Sequence, residues 1–292
     1  MNEFTIKDLE NLSGIKAHTI RIWEQRYTFI KPHRTGTNIR FYTNEELKTI
    51  LNIALLNKNG FKISHIDKMD NSEITEKIVA LNYVEAQQER IINDLIKAMI
   101  DLDLDGFETV LDSFILAKGI EKTITFIIFP FLNKIGILWQ TNKINPAQEH
   151  LVTNILRQKI IVGIENCNVV LAKNKTYLLF LPEGEFHELG LLFVYYLLKN
   201  KGVKVVYLGA NVPIKDVGYI INIKPIDVVY THITSQASNF NTDRFLRLMD
   251  QHTNNKKIVL SGLLAQSIKK KVNTNYEVKQ SLNEVMDYIS TI

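Results

Sequence analysis

The spacing of apolar positions along the chain predicts helices first, over residues 1 to about 75. Thr5 is typical of a helix N-cap and Gly14 of a helix end, and a second helical pattern starts a few residues later. Two helices joined by so tight a turn are typical of a helix-turn-helix. A polar hairpin with a turn at Pro32 follows, and the pattern Thr43-x-x-Glu46 is a capping box that predicts a third helix.

Longer helical periodicities fill residues 76–172 and predict four antiparallel helices, of which the first is the single segment "EITEKIVALNYVEAQQERIINDLIKAMI". From residue 173 the period changes, and the short apolar runs "TYLLFLP", "VKVVYLG", "DVVYTHI" and "KKIVLSG" alternate with helical segments. This alternation favours a Rossmann-like, doubly wound and mostly parallel sheet. We therefore predict three domains, at residues 1–75, 76–172 and 173–292.

Composition narrows the class of protein. A hydrophobic content of 46% with 23% charged residues is ordinary for a folded globular chain. We find no apolar run of the ~18 residues that a membrane span needs and no secretory signal, so we expect a cytoplasmic protein without a membrane partner. The single cysteine, Cys167, excludes an internal disulfide and a cysteine-based zinc cluster. A net charge of +4 is too small to indicate nucleic-acid binding by itself.

The second helix and the hairpin carry the residue types that bind DNA. A helix in the major groove needs small or hydrogen-bonding residues near its start and basic residues that reach phosphates. The candidates are Lys16, His18, Thr19, Arg21, Arg26, Tyr27, Arg34, Asn38, Arg40 and Tyr42. Taken singly, these charges are also typical of a solvated helix face and a loop.

The order of these residues is more specific than their charge. "TIRIWEQRY" followed by "KPHRTGTNIRFY" resembles the DNA-binding domain of the MerR family of transcriptional regulators, over roughly residues 3 to 70. In that family a helix with an arginine and a following tyrosine leads to a wing with P-x-R and R-x-Y. The matching residues here are Arg21, Tyr27, Pro32, Arg34, Arg40 and Tyr42. The resemblance implies a winged helix-turn-helix that binds a pseudo-palindromic operator as two copies or more. With one cysteine, we do not expect the metal sensing found in this family.

His187 lies where an apolar strand gives way to a helix, the position at which open α/β sheets hold ligands. "EFHELG" has the form E-x-H-x-x-G and resembles the D-x-H-x-x-G loop of cobalamin-binding Rossmann-like domains. The resemblance implies that His187 ligates cobalt, that Glu185 takes the place of the aspartate beside the ring, and that Gly190 is the motif's glycine. A histidine on a surface loop is the commoner origin of a lone H-x-x-G.

Two later loops match the same family only in part. The family has S-x-L or S-x-V after the third strand and a glycine pair after the fourth, and both line the nucleotide tail of the cofactor. This chain has "YTHIT" and "VLSGLLA" there. The resemblance implies that Thr231 replaces the serine and that Ser261 and Gly262 replace the pair. We expect the Ser261 side chain to narrow the tail channel, which leaves weakened or lost cofactor binding open.

The helical block adds a further match. In "WQTNKINPAQEH", nine residues separate Trp139 from the pair Glu149 and His150. The segment resembles the W-x9-EH signature of the cap in cobalamin-dependent photoreceptor regulators, the CarH/LitR group. The resemblance implies that Trp139, Glu149 and His150 cover the upper face of adenosylcobalamin. Members of the group often have histidine after the tryptophan. Gln140 stands there, so we expect an illuminated state to be locked by another group, such as His150, or not locked.

Together these resemblances extend over almost the whole chain. They imply a homo-oligomeric, non-enzymatic MerR-type regulator, a repressor that senses adenosylcobalamin and, through it, light, as a dimer or a tetramer. Two alternatives stay open. One is a regulator that keeps the cobalamin-binding fold without using the cofactor, and the other is a corrinoid carrier for a methyltransferase.

Overall fold

The computed structural model describes residues 2–140, 144–171, 173–234, 241–265 and 272–292, without the side chains of residues 137, 139 and 140. The chain forms two compact units, Met1–Leu156 and Arg157–Ile292, and the boundary falls within one helix. The predicted division into three domains stays a prediction. Among the described residues, no helix combines the length and the apolar character needed to cross a membrane.

The first unit starts with a helix-turn-helix and a wing, as predicted. Its elements are α1 (Ile6–Ser13), α2 (Ala17–Arg26), β1 (His33–Arg34), β2 (Arg40–Phe41), α3 (Asn44–Lys58) and α4 (Ile63–Ile66). The side chain of Thr5 accepts from the backbone of Asp8 in a capping box, and Gly14 ends α1 in a left-handed conformation. The antiparallel strands β1 and β2 form the wing, and Phe4 pairs with Tyr42 beside it.

The helical block follows in the same unit. Its elements are α5 (Asn71–Val79), α6 (Val84–Asp101), α7 (Leu104–Lys118), α8 (Ile120–Thr123), a π-helical turn (Ile124–Ile128), α9 (Phe129–Gln140) and α10 (Pro146–Glu165). The sequence pattern predicted one helix where α5 and α6 stand. Ile74, Ile78 and Leu81 are buried at helical spacing, but the next buried position is Ala86, so the apolar face changes register between the two helices.

The second unit is a five-stranded parallel sheet with helices on both faces, as predicted. Its elements are β3 (Thr176–Pro182), α11 (Leu189–Asn200), β4 (Lys204–Val212), α12 (Ile214–Ile223), β5 (Val228–His232), α13 (Thr242–His252), β6 (Lys257–Ser261), β7 (Tyr276–Val278) and α14 (Leu282–Ser290). One face packs an apolar core against α12 and α13, and a hydrogen bond between the hydroxyls of Tyr177 and Tyr288 joins the other face to α14. The sequence pattern missed β7, which has only three residues.

The strand order is β4-β3-β5-β6-β7. The chain therefore adds β4 on one side of β3 and then crosses over to add β5 on the other side. In such sheets a crevice opens at the carboxyl ends of the two strands where the order reverses, here β3 and β5. The loop that carries His187 leaves the carboxyl end of β3 at that place.

Candidate functional site

The imidazole of His187 is held by a buried carboxylate. The His187 side chain is 54% exposed, whereas that of Glu185 is 2% exposed. Oε1 of Glu185 lies 2.7 Å from Nδ1 of His187 and also accepts from its backbone N–H at 2.9 Å. Because a carboxylate only accepts, Nδ1 is the protonated nitrogen of the neutral ring. The lone pair is then on Nε2, which is the nitrogen that can ligate a metal ion.

Glu185 also joins its own loop to the end of β4 and to the loop after β5. Its Oε2 accepts from the backbone N–H of Thr234, after β5, at 2.8 Å. Its backbone carbonyl accepts from Asn211, at the end of β4, at 3.1 Å. The side-chain oxygen of Asn211 accepts from Gly184 at 2.9 Å. The sequence pattern did not single out Asn211 or Thr234, because their partners lie 27 and 49 residues away.

Gly190 allows a second imidazole to approach the His187 loop. A Cβ atom at position 190 would lie 2.4 Å from Nε2 of His232, at the end of β5. Nδ1 of His232 lies 2.8 Å from Oγ of Ser261. Burial lowers the pKa of His232 to about 4, the charge of Glu185 opposes this shift, and that of His187 adds to it. His232 is therefore neutral at physiological pH.

The residues expected to line a nucleotide tail do not face one another. Ser261 is buried, and its hydroxyl accepts from that of Tyr230 at 2.8 Å, on the α14 face of the sheet. Thr231 alternates with Tyr230 along β5 and is on the opposite face, where its buried hydroxyl has no hydrogen-bond partner within the described residues. Gly262 has φ +97°, and a Cβ there would lie 2.2 Å from the carbonyl oxygen of Ile233.

The candidate cap residues belong to the first unit. Glu149 and His150 lie in the first turn of α10, where Glu149 is half-buried and His150 is exposed. Oε1 of Glu149 accepts from the hydroxyl of Thr153 at 2.9 Å, and Oε2 lies 3.3 Å from Nδ1 of His150. The side chains of Trp139 and Gln140 are outside the described residues.

The candidate DNA-binding residues fall into an exposed set and a set that holds the wing. Exposed side chains on or next to α2 are those of Lys16, His18, Arg21 and Arg26, with Thr19 and Tyr27 half-buried. On the wing, the exposed Arg34 donates to the side-chain and backbone oxygens of Asn38 at 2.8 and 3.2 Å.

Arg40 and Tyr42 hold the wing against α2. Tyr42 is fully buried and its hydroxyl donates to Glu24 of α2, while Nε of Arg40 lies 3.4 Å from the same carboxylate. We therefore expect Tyr42 to act on DNA through the position of the wing. Glu24 was not predicted from the sequence, since a glutamate among basic residues is typical of a solvated helix face.

Two family models match parts of the chain. Residues 4–73 match the MerR HTH family regulatory protein, and residues 91–162 match the B12 binding domain. The chain thus has a segment that matches the MerR helix-turn-helix, followed by a segment in the helical block that matches the B12 binding domain, as its motifs predicted.

Two curated relatives are similar to this chain over most of its length. The chain is homologous to the HTH-type transcriptional repressor CarH of Myxococcus xanthus, at 26% identity over 90% of both chains. It is also homologous to the HTH-type transcriptional repressor CarA of the same organism, at 27% identity over 80% of this chain and 77% of CarA. Its fold is similar to that of the monomethylamine corrinoid protein of Methanosarcina barkeri, with a TM-score of 0.57, 14% identity, and coverage of 70% of this chain and all of that one.

Proposed function

We propose that this protein is a DNA-binding transcriptional repressor that senses cobalamin, in the form of adenosylcobalamin. The proposal depends on two features that occur in one chain. One is the exposed basic helix α2, and the other is the His187 imidazole, whose tautomer is set by the buried carboxylate of Glu185. This imidazole lies at the carboxyl edge of the parallel sheet, where open α/β sheets bind ligands. The homology to two repressors supports the transcriptional part. The protein performs no catalysis in this proposal.

The donor set at the His187 loop fits cobalt. Imidazole suits borderline metals, and a carboxylate on the other ring nitrogen orients the ring and raises its basicity. Glu185 does this from a buried position with both oxygens hydrogen-bonded. When bound, adenosylcobalamin supplies a cobalt–carbon bond that light can break, which would make the regulator light-sensitive. The chain itself holds the ring, orients it and keeps the carboxylate away from water.

On DNA, α2 would enter the major groove while Arg34 and its neighbours on the wing contact phosphates. Two copies are the minimum for a pseudo-palindromic operator, so we propose a homo-oligomer, dimer or tetramer, whose assembly responds to the cofactor. Trp139, Glu149 and His150, in the helical block, would contribute to holding the cofactor.

The test is an absorption spectrum of the full-length protein after incubation with adenosylcobalamin in the dark and gel filtration. We expect co-eluting cofactor with a histidine-ligated spectrum in the wild type and in His65→Ala, an exposed control. That spectrum should be lost in His187→Ala. Green light should change the spectrum and the elution volume.

DNA binding is measured separately, on duplexes selected from a random pool. Arg21→Ala should weaken binding without changing the cofactor spectrum. Protein that binds these duplexes and never retains the cofactor would refute cobalamin sensing and leave a cofactor-independent regulator. Coloured protein without DNA binding would point to a corrinoid carrier instead.

A further inference from the structure

The interior behind His187 is filled by the chain's own side chains. On the α14 face of the sheet, the hydroxyl of Tyr230 donates to Ser261, and Nδ1 of His232 lies 2.8 Å from the same oxygen. Next to them, the hydroxyls of Tyr177 and Tyr288 are 2.8 Å apart and join β3 to α14. Tyr177, Tyr230 and Ser261 are buried. Each of these polar groups therefore already has a partner from the protein.

The backbone packs closely around this network. Gly190 and Gly262 are so close to their neighbours that even one carbon atom would collide, with His232 at 2.4 Å and with the carbonyl of Ile233 at 2.2 Å. Thr231, the remaining residue expected to bind a nucleotide tail, is on the other face of the sheet and is buried there. The residues expected to line the tail thus do not form one channel.

The outer rim of the same edge is open and apolar. Phe186, next to His187, is 65% exposed, and Leu263, in the loop after β6, is 71% exposed. β3 and β6 are on the two sides of β5, so these loops flank the end of the central strand. Large apolar side chains exposed beside an oriented metal-ligating imidazole are typical of a surface that receives a flat apolar ring.

We propose that this site recognises a corrinoid by its corrin ring and its cobalt and does not use the nucleotide tail, so that it also takes corrinoids that lack a lower nucleotide. The proposal rests on the cobalamin-sensing function proposed above. His187 supplies the bond to cobalt, Phe186 and Leu263 contact the ring, and the network of Tyr230, Ser261 and His232 occupies the interior.

The experiment compares the affinities of the full-length protein for cobalamin and for cobinamide, a corrinoid without the lower nucleotide, by absorption titration in the dark. We expect the two dissociation constants to agree within threefold, and His187→Ala to weaken both at least tenfold. Cobalamin binding at least tenfold tighter than cobinamide would overturn this inference and leave the proposed function standing. Binding of neither corrinoid would overturn both.

Two variants test the filled interior, and one tests the rim. His232→Ala and the milder Ser261→Gly each remove part of the network. Each should therefore increase the affinity for cobalamin at least fivefold relative to the affinity for cobinamide. Phe186→Ala should weaken both corrinoids by the same factor, while Tyr219→Ala, an exposed aromatic on α12, should change neither. Folded His232→Ala and Ser261→Gly proteins whose affinities for the two corrinoids change by equal factors would contradict the role assigned to the network.

Discussion

Replacing Gly262 by alanine should destabilise the second unit through two separate effects. A non-glycine residue at φ +97° is strained, at a cost of about 1–3 kcal/mol. The new Cβ would also lie 2.2 Å from the carbonyl oxygen of Ile233, which is backbone and cannot rotate away. The resulting shift costs about 1–3 kcal/mol and disturbs the 2.8 Å bond from Ile233 N–H to Ser261. We therefore expect a total loss of about 2–6 kcal/mol, large against the ~5–15 kcal/mol stability of a typical native protein.

Gly60→Ala is the matched control, because Gly60 has φ +94° with nothing within 4 Å of the added carbon. It should lose only the strain energy, about 1–3 kcal/mol. Urea unfolding, followed by circular dichroism, measures the stability lost in each variant by the unit that carries it. The loss is calculated from the shift in the urea midpoint, provided that the slope of the free energy of unfolding against urea stays constant. The reasoning is refuted if Gly262→Ala loses no more stability than Gly60→Ala, since the steric contribution would then be absent.

Three further perturbations test other parts of the structure. Burial holds the pKa of His232 at about 4 in the folded protein, below the ordinary value of 6.5, so the unfolded chain binds a proton more readily. The free energy of unfolding should therefore fall by at most about 3 kcal/mol as the pH drops from about 6.5 to about 4. The fall should be smaller in His232→Asn. Arg34→Ala should reduce by about 1 the slope of log affinity against log salt for DNA, whereas the exposed Lys118→Ala should leave it unchanged, as fluorescence anisotropy would measure. Tyr42→Phe removes the hydroxyl that donates to the Glu24 carboxylate, so chemical denaturation should report a loss of about 1–3 kcal/mol in the free energy of unfolding. The affinity for DNA should fall equally for all sequences. A sequence-selective loss of affinity would argue for direct base contact by Tyr42.

Much of the fold is local and was predictable for that reason. A capping box at Thr5, a left-handed glycine at Gly14 and four apolar runs each identify an element from a few consecutive residues. The predicted single helix over α5 and α6 was wrong because the apolar face changes register between Leu81 and Ala86, which a search for average periodicity does not detect. β7 was missed since three half-buried residues with a central glutamate carry no strand pattern.

By itself the sequence determined the order of a helix-turn-helix, a helical block and a parallel α/β sheet, and it placed His187 on a strand-to-helix loop. All of this depends on spacing within short segments. Only the tertiary structure decided that Glu185 reaches Thr234, 49 residues away, and that Ser261 is bonded to Tyr230 and His232 instead of facing Thr231. Those contacts depend on which strands are neighbours and in which register, and periodicity along the chain does not encode either.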